Sequence, residues 1–204
     1  MSRLLLIRHG ETNMNSSFRY WGSTDVVLSD LGLRQAEHLR NRLKSERINV
    51  VYSSDLKRSL DTARVIVSSH NLEVITCPEL REIDFGQIEG MTFEEVNLSY
   101  PEVARMWIER DDNLVYPGGE SLAQLDKRLQ RFRTRLEKHT SEDTILVVGH
   151  SGALRTLLCQ LLGMESGRRW QISLDLSSLS IIETYPEGVI LTLLNDVSHL
   201  TEKG

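Results

Sequence analysis

The sequence predicts an α/β protein, a three-layer α/β/α sandwich with a mostly parallel central sheet, and three observations lead to this prediction. Apolar runs at residues 3–7 and 144–148 lack polar alternation, which is typical of strands buried on both faces. Strand-like segments alternate with segments whose apolar residues recur at helical spacing, the pattern of sheets with right-handed helical crossovers. The length of 204 residues suits one domain, so we expect a single unit over residues 1–204.

The first half of the chain alternates strand and helix. The predicted elements are, in order, a strand at 3–7, a helix at 30–45, a strand at 49–53, a helix at 55–69 and a strand at 73–76. Ser29 is a suitable N-cap for the first helix, because its hydroxyl can accept a hydrogen bond from a backbone N–H of the first turn. An irregular acidic stretch at 79–90 follows and is predicted to be a loop.

The second half begins with helical patterns over 92–110 and 120–139, which the breaker at 116–119 separates. We expect them to form a helical insertion, a cap over about 92–139 that covers the site. The remaining predicted elements are, in order, a strand at 144–148, a helix at 151–162 and two β runs at 179–184 and 189–194 around a turn at 187–188.

Composition narrows the class of function. The net charge of -5 leaves no general basic field that would attract a nucleic-acid backbone. The four consecutive apolar residues near the N-terminus are too few for a signal peptide or a membrane span. Cys77 and Cys159 have neither zinc-site spacing nor the density of a disulfide scaffold, which fits a reducing cytoplasm. We expect a cytoplasmic protein, a monomer or a homodimer, without membrane or nucleic-acid partners.

Basic side chains follow the predicted strands at the edge where ligands bind in such sheets. Arg8 and His9 follow the first strand, His150 follows the strand at 144–148, and Arg58 lies in the first turns of the second helix. Each alone has an ordinary structural explanation. Their coincidence at one edge favours a functional site. The other histidines lack such a setting and are expected at the surface; these are His38, His70, His139 and His199.

A site of this composition suits a phosphomonoester, which is largely dianionic near neutral pH. The arginines Arg8 and Arg58 offer planar forks of permanent charge for the phosphate oxygens. A histidine can itself attack phosphorus, and His9, with Gly10 permitting close approach, is the candidate nucleophile. The leaving oxygen then needs a proton from a carboxylic acid in the 79–90 loop, where the candidates are Glu82, Asp84 and Glu89. Such chemistry needs no cofactor.

Metal binding is a competing interpretation of the same residues. His9, His150 and a carboxylate would make a possible zinc triad. The two arginines disfavour it because they would repel a divalent cation, and the sequence has no HExxH pair. We therefore predict no metal site.

At these residues the sequence closely resembles the histidine phosphatase superfamily, which contains cofactor-dependent phosphoglycerate mutases and many small phosphatases. The signature match is Arg8-His9-Gly10-Glu11-Thr12. Further matches cover nearly the whole chain: Asn15 and the stretches at 20–36, 53–63, 80–96, 117–121 and 149–158.

The resemblance implies a role for each candidate. It makes His9 the phosphorylated nucleophile and selects Glu82 as proton donor over Asp84 and Glu89. It places Arg8, Arg58 and His150 in the phosphate pocket with Asn15 assisting. Gly22 and Ser151 lie in matched stretches and are predicted to contact the substrate. The predicted function is a phosphomonoesterase that acts through a phosphohistidine on a small-molecule ester.

The stretch at 20–29 resembles α-ribazole phosphatases, which act on a precursor in cobalamin biosynthesis, so α-ribazole 5'-phosphate is a candidate substrate. A phosphoglycerate mutase is the first alternative. Mutases commonly carry tryptophan where this chain has Met14, and most of the basic residues of the predicted cap recur at spacings of an exposed helix face rather than of a converging pocket. A catalytically idle binding protein is the second alternative, and a retained nucleophile with a matched acid argues against it.

Overall fold

The computed structural model describes residues 2–15 and 18–200, so the two ends of the predicted domain lie outside the described residues. Within this part, one six-stranded sheet has the order β3-β2-β4-β1-β5-β6. Four neighbouring strands are parallel, and β5 and β6 extend the sheet antiparallel. The strands are β1 (Arg3–Arg8), β2 (Val50–Ser53), β3 (Val74–Thr76), β4 (Thr144–Gly149), β5 (Leu179–Tyr185) and β6 (Gly188–Asp196). The α/β prediction is confirmed.

Helices cover both faces of this sheet. They are α1 (Asp30–Leu43), α2 (Lys57–Val67), α3 (Phe93–Ser99), α4 (Pro101–Glu109), α5 (Leu122–Leu136) and α6 (Ser151–Leu161). Helices α1 and α2 pack together, and α5 packs on α6. The three layers follow from this arrangement.

The central strand β1 feeds two separate cores because successive side chains of a strand point to opposite faces. Leu4 and Leu6 join the core that contains Phe132 of α5. Leu5 and Ile7 join the core of α1 and α2. An uninterrupted apolar run is therefore what this position in the sheet requires.

Two helix starts show how local chemistry sets the boundaries. Ser29 caps α1 as predicted, since its Oγ accepts a hydrogen bond of 3.0 Å from Gly32 N. The second helix begins at Lys57 rather than at 55, because Leu56 keeps an extended backbone with ψ of 135°. The Leu56 N–H donates a hydrogen bond to Ser54 Oγ.

The predicted helix over 92–110 is wrong as one element, because Tyr100 separates α3 from α4. Tyr100 has φ of -137° and ψ of 62°, and Pro101 opens α4. A proline disfavours the helical conformation of the residue before it and starts a helix well, since it lacks an N–H. The predicted turn at 187–188 also shifts, because Gly188 is already the first residue of β6.

The segment between β3 and α3 is a loop, as predicted, with short 3-10 turns at Pro78–Leu80 and Gly86–Ile88. A further 3-10 helix, Ser166–Gln171, follows α6 in a stretch without a predicted element. None of the described helices is long and apolar enough to cross a membrane. The boundaries of the cap stay a prediction.

Candidate functional site at the carboxyl ends of the strands

The predicted strand-end residues converge. Strands β1 and β4 are parallel neighbours, with Arg8 opposite Gly149, so the next residue of each strand lies at the same edge. His9 N donates to Gly149 O at 3.0 Å, and the His9 and His150 ring centroids are 5.0 Å apart. Both rings are buried.

The His9 ring is held in one tautomer. Its Nδ1 lies 2.7 Å from Gly10 O, and a carbonyl oxygen only accepts, so Nδ1 carries the proton. Burial, followed by the charges of Arg58 and Arg8, lowers the pKa of His9 well below its ordinary value of 6.5. The ring is therefore neutral at physiological pH, and Nε2 keeps a free lone pair.

The His150 ring is held in the opposite tautomer. Arg58 Nε donates to His150 Nδ1 at 3.2 Å, and a guanidinium only donates, so the proton of the neutral ring is on Nε2. Burial, then the charge of Arg58, lowers the pKa of His150 well below 6.5. Its buried Nε2 has no hydrogen-bond partner among the described residues.

Both arginines are fixed by backbone carbonyls. Arg58 donates to Gly22 O at 2.7 Å and to Thr24 O at 2.8 Å, while Arg8 donates to Leu174 O at 2.7 Å. The buried Arg8 Nε lacks a partner within the described part of the chain. Gly22 also has no room for a side chain, since a Cβ would lie 2.0 Å from Ile83 O.

Glu82 meets the start of α6, the helix that begins directly after His150. Its carboxylate accepts hydrogen bonds from Gly152 N at 2.9 Å, Ala153 N at 3.2 Å and Ile83 N at 2.9 Å. Three backbone donors fix the carboxylate at the start of the helix that follows His150. Ser151 is the first residue of the same helix.

The other two acidic candidates hold the loop that supports Arg58. Glu89 accepts from Ser23 N at 2.6 Å and Thr24 N at 2.9 Å. Asp84 accepts from Ser23 Oγ at 3.1 Å. Asn15 lies in a turn after His9, where its Oδ1 accepts from Thr12 N at 2.7 Å and Thr12 Oγ1 at 2.9 Å.

Comparison with known proteins decides the family, because a model of the histidine phosphatase superfamily (branch 1) matches residues 4–197. The chain belongs to the histidine phosphatase superfamily. It is 38% identical over 202 residues to phosphoserine phosphatase 1 of Hydrogenobacter thermophilus, with 99% of this chain and 96% of that protein covered.

Solved structures of other histidine phosphatases agree. The alpha-ribazole phosphatase of Shigella flexneri superposes with a TM-score of 0.89 at 31% identity, covering 95% of this chain and 96% of that chain. A histidine-to-alanine mutant of phosphoserine phosphatase from Entamoeba histolytica, in complex with phosphoserine, gives 0.87 at 30% identity and covers 98% and 100%. The resemblance predicted from the motifs is confirmed, and this histidine phosphatase is a hydrolase of phosphate esters.

A cavity of about 500 Å³ opens beside Glu82 in this histidine phosphatase and runs beneath α4. Its aromatic walls come from separate loops and helices; they include Tyr20, Phe85, Phe93, Trp107, Tyr116 and Trp170. Three arginines also line it, namely Arg110, Arg155 and Arg169. No pattern in the sequence predicted this cavity. The spacing of Ser151 and Arg155, one helical turn apart, is the one signal that could have indicated part of it.

Two basic residues of the predicted cap are exceptions to the expectation that most of them lie on an exposed helix face away from a pocket. Arg128 is mostly buried, where it pairs with Glu120 at 2.7 Å and donates to the carbonyl of Glu82 at 3.1 Å. Arg110 stacks on Trp170 at the cavity, 3.4 Å from the ring centroid. Arg105 is exposed, as expected.

The remaining histidines are not simple surface residues. All four are half-buried. His139 Nε2 lies 2.9 Å from Tyr52 Oη, His70 Nε2 lies 3.1 Å from Leu43 O, and His199 Nε2 lies 3.0 Å from Ser177 O. These contacts give His70, His139 and His199 structural roles that helix position alone did not predict. Over residues 2–15 and 18–200, no group of three or more His, Cys, Asp or Glu side chains could hold a metal ion.

Proposed function

We propose that this enzyme hydrolyses a small-molecule phosphomonoester through a phosphoryl group carried on His9. One observation carries the proposal: two buried donors, Arg8 Nε and His150 Nε2, lack partners among the described residues and flank a neutral His9. Buried donors without partners are costly, and phosphate oxygens would satisfy both. Arg58 adds a fixed charge to the same pocket.

The chemistry proceeds in two steps. His9 Nε2 attacks phosphorus, so that a P–N bond forms as the ester P–O bond breaks. Glu82 is the proposed source of the proton that the leaving oxygen receives. Water then attacks the phosphohistidine, the P–N bond breaks, and Glu82 takes up a proton from the water. Asn15, Gly22 and Ser151 are proposed to contact the bound ester.

Two substrates are candidates. The aromatic walls of the cavity suit the planar base of α-ribazole 5'-phosphate, which a reaction of cobalamin biosynthesis would supply. Phosphoserine is the second candidate, because relatives named phosphoserine phosphatases cover nearly the whole chain. The net charge of -5 supports such small substrates over nucleic acid.

A mutase is the alternative. A mutase must hold a second acidic end of its substrate. Cationic groups for that end, which we did not expect from the sequence, are present as Arg155 and Arg169. Hydrolysis is still proposed because the relatives reported above are phosphatases by name.

A cytoplasmic setting is part of the proposal. Cys77 and Cys159 are free and buried, and burial raises the pKa of the Cys77 thiol to about 11. Both thiols are therefore protonated and unreactive. The protein is proposed to act as a monomer or a homodimer.

A substrate panel tests the proposed function. The enzyme is incubated in EDTA with α-ribazole 5'-phosphate, phosphoserine or 3-phosphoglycerate primed with 2,3-bisphosphoglycerate, and inorganic phosphate and 2-phosphoglycerate are measured. We expect phosphate release without added metal and little mutase product, with all activity lost in His9→Ala. A primed mutase rate well above the phosphatase rate would contradict hydrolysis, and full activity of His9→Ala would contradict the nucleophile.

A further inference from the structure

Gln35 of α1 is bonded to the peptide group on which the His9 ring is fixed. We propose that Gln35 is a positioning residue for the nucleophile: by holding the peptide between Gly10 and Glu11, it keeps His9 in the tautomer that can attack phosphorus. The inference rests on the proposed function and adds a residue to the machinery around His9. Gln35 contacts the peptide, so it acts on the ring at one remove.

One peptide group connects Gln35 to His9. Gly10 O and the Glu11 N–H belong to the same planar unit. On one side, Gly10 O accepts from His9 Nδ1 at 2.7 Å. On the other side, Glu11 N donates to Gln35 Oε1 at 2.8 Å. Because a rotation of the peptide plane moves its N–H and its C=O together, the bond to Gln35 fixes the direction in which Gly10 O points.

The backbone after His9 is anchored on α1, which places Gln35 within reach. Glu11 O accepts from the N–H of Ser29, the N-cap of α1, at 2.9 Å. Gly32 lets the helix approach closely, since a Cβ there would lie 2.0 Å from Glu11 O. Gln35 lies about one turn further along the same face of α1, so its side chain meets the Glu11 N–H.

A second contact ties Gln35 to the other side of the His9 backbone. Gln35 Oε1 accepts from Ser177 Oγ at 3.4 Å, a long hydrogen bond. Ser177 is buried and has φ of 57°. Its N–H is shared between Arg8 O and His9 O, each at 3.1 Å. Gln35 therefore bonds to both backbone segments that hold His9.

The contribution of Gln35 should be largest in the transition state. When His9 Nε2 uses its lone pair to bond to phosphorus, the ring gains positive charge and its Nδ1–H becomes a stronger donor. Hydrogen bonds in a chain polarise one another, so the bond from Glu11 N to Gln35 makes Gly10 O a better acceptor. An interaction that strengthens as the bond to phosphorus forms accelerates the reaction rather than tightening substrate binding.

Removal of the acceptor tests this role. Gln35→Met has a side chain of similar length that cannot accept from Glu11 N. With p-nitrophenyl phosphate, we expect single-turnover phosphorylation of His9 to slow by about 5- to 30-fold, the range expected when a buried donor loses its partner. The dissociation constant of inorganic phosphate should change less than about twofold, because the phosphate pocket keeps its groups. Gln35→Lys, whose ammonium can extend to solvent, should have the same effects and decides the question if Gln35→Met fails to fold.

The tautomer of His9 gives a readout that does not depend on turnover. In protein with isotope-labelled histidine, nuclear magnetic resonance at neutral pH distinguishes a ring protonated on Nδ1 from one protonated on Nε2, and His9→Asn identifies the signal. Wild type should show the Nδ1–H form, and both acceptor-free variants should show a mixture of the two forms. Gln35→Glu keeps an acceptor for Glu11 N and should restore the single form. Arg34→Met, at the exposed neighbouring position of α1, should match wild type in tautomer and rate.

Three results would overturn the inference: an unchanged Nδ1–H tautomer in the acceptor-free variants, an unchanged rate of phosphorylation in them, or a loss of phosphate affinity as large as the loss of rate. The last result would mean that Gln35 only supports the structure of the pocket. Failure of the proposed function is distinguishable from these outcomes. In that case no phosphoryl group would appear on His9 even in wild type, whereas the tautomer is measured in the resting enzyme.

Discussion

His9 and His150 follow neighbouring strands, yet their rings are fixed in opposite tautomers. Gly10 O accepts from His9 Nδ1, whereas His150 Nδ1 accepts from Arg58. One ring therefore offers a lone pair at Nε2 and the other offers a proton there. The sequence places both histidines at one edge of the sheet. It does not predict the tautomers, because the partners that set them depend on distances formed only in the folded chain.

The two neutral histidines make the stability of the fold depend on pH. Their pKa values are lowered in the folded protein, whereas in the unfolded chain they stay near 6.5. Below pH 6.5 the unfolded state therefore binds more protons, and stability is lost as the pH falls. Each histidine contributes up to about 1.4 kcal/mol per pH unit.

Urea unfolding at several pH values between 7.5 and 5 (about one unit apart) measures this effect. His9→Asn should have a shallower decline of the free energy of unfolding than wild type below about pH 6.5. His38→Asn serves as a control that removes a histidine outside the site. Identical slopes in wild type and His9→Asn would show that His9 is not buried as a neutral ring.

Glu82 is the proton donor of the proposed reaction. The loss of rate on replacing it should therefore depend on how strongly the leaving group needs a proton. Glu82→Gln is expected to slow alkyl phosphates by about 10² or more. A p-nitrophenyl ester has a leaving group that barely needs a proton and should lose less. Single-turnover rates with both substrates check this. Equal losses would mean that Glu82 only supports the structure.

Among the elements of the fold, the start of α6 connects the histidine pocket with the proton donor Glu82. His150 precedes this helix, and the Gly152 N–H and Ala153 N–H hold Glu82. A Cβ on Gly152 would lie 2.4 Å from Glu82 Oε1, so this position needs a glycine for the carboxylate to approach. The helix start thus fixes the distance between the donor and the histidine pocket.

Gly152→Ala should displace the Glu82 carboxylate without disturbing the pocket of His9. We expect its losses of reaction rate to follow those of Glu82→Gln, which are large for alkyl phosphates and smaller for p-nitrophenyl phosphate. Thermal unfolding should change little, because alanine favours the helix and offsets part of the strain. A uniform loss on both substrates would argue against displacement of the proton donor.

The same elements show which features sequence patterns could predict and which they could not. The convergence of His9 and His150 was predictable, since parallel strands bring their carboxyl ends to one edge. Pro101 is a sequence signal for the break at Tyr100, but the apolar residues on both sides of it recur at helical spacing and favour one continuous helix. The cavity was not predictable, because Tyr20, Trp107 and Tyr116 meet only through tertiary packing.

In the whole molecule, the site lies at the end of β1, the strand that contributes side chains to both hydrophobic cores. Leu4 and Leu6 pack toward α5 and α6, while Leu5 and Ile7 pack toward α1 and α2. Rigid packing on both faces of β1 holds Arg8 and His9 in place, since side chains in dense cores shift little. Positioning of this kind is what phosphoryl transfer requires of a protein.

His9 is the proposed carrier of the phosphoryl group during turnover. Wild-type enzyme is mixed with substrate, quenched without acid and digested, and peptides are analysed by mass spectrometry. We expect a phosphoryl group on the peptide of His9 that is stable to base, labile to acid and absent from His9→Ala. A phosphoryl group on another residue, or none in wild type during turnover, would contradict it.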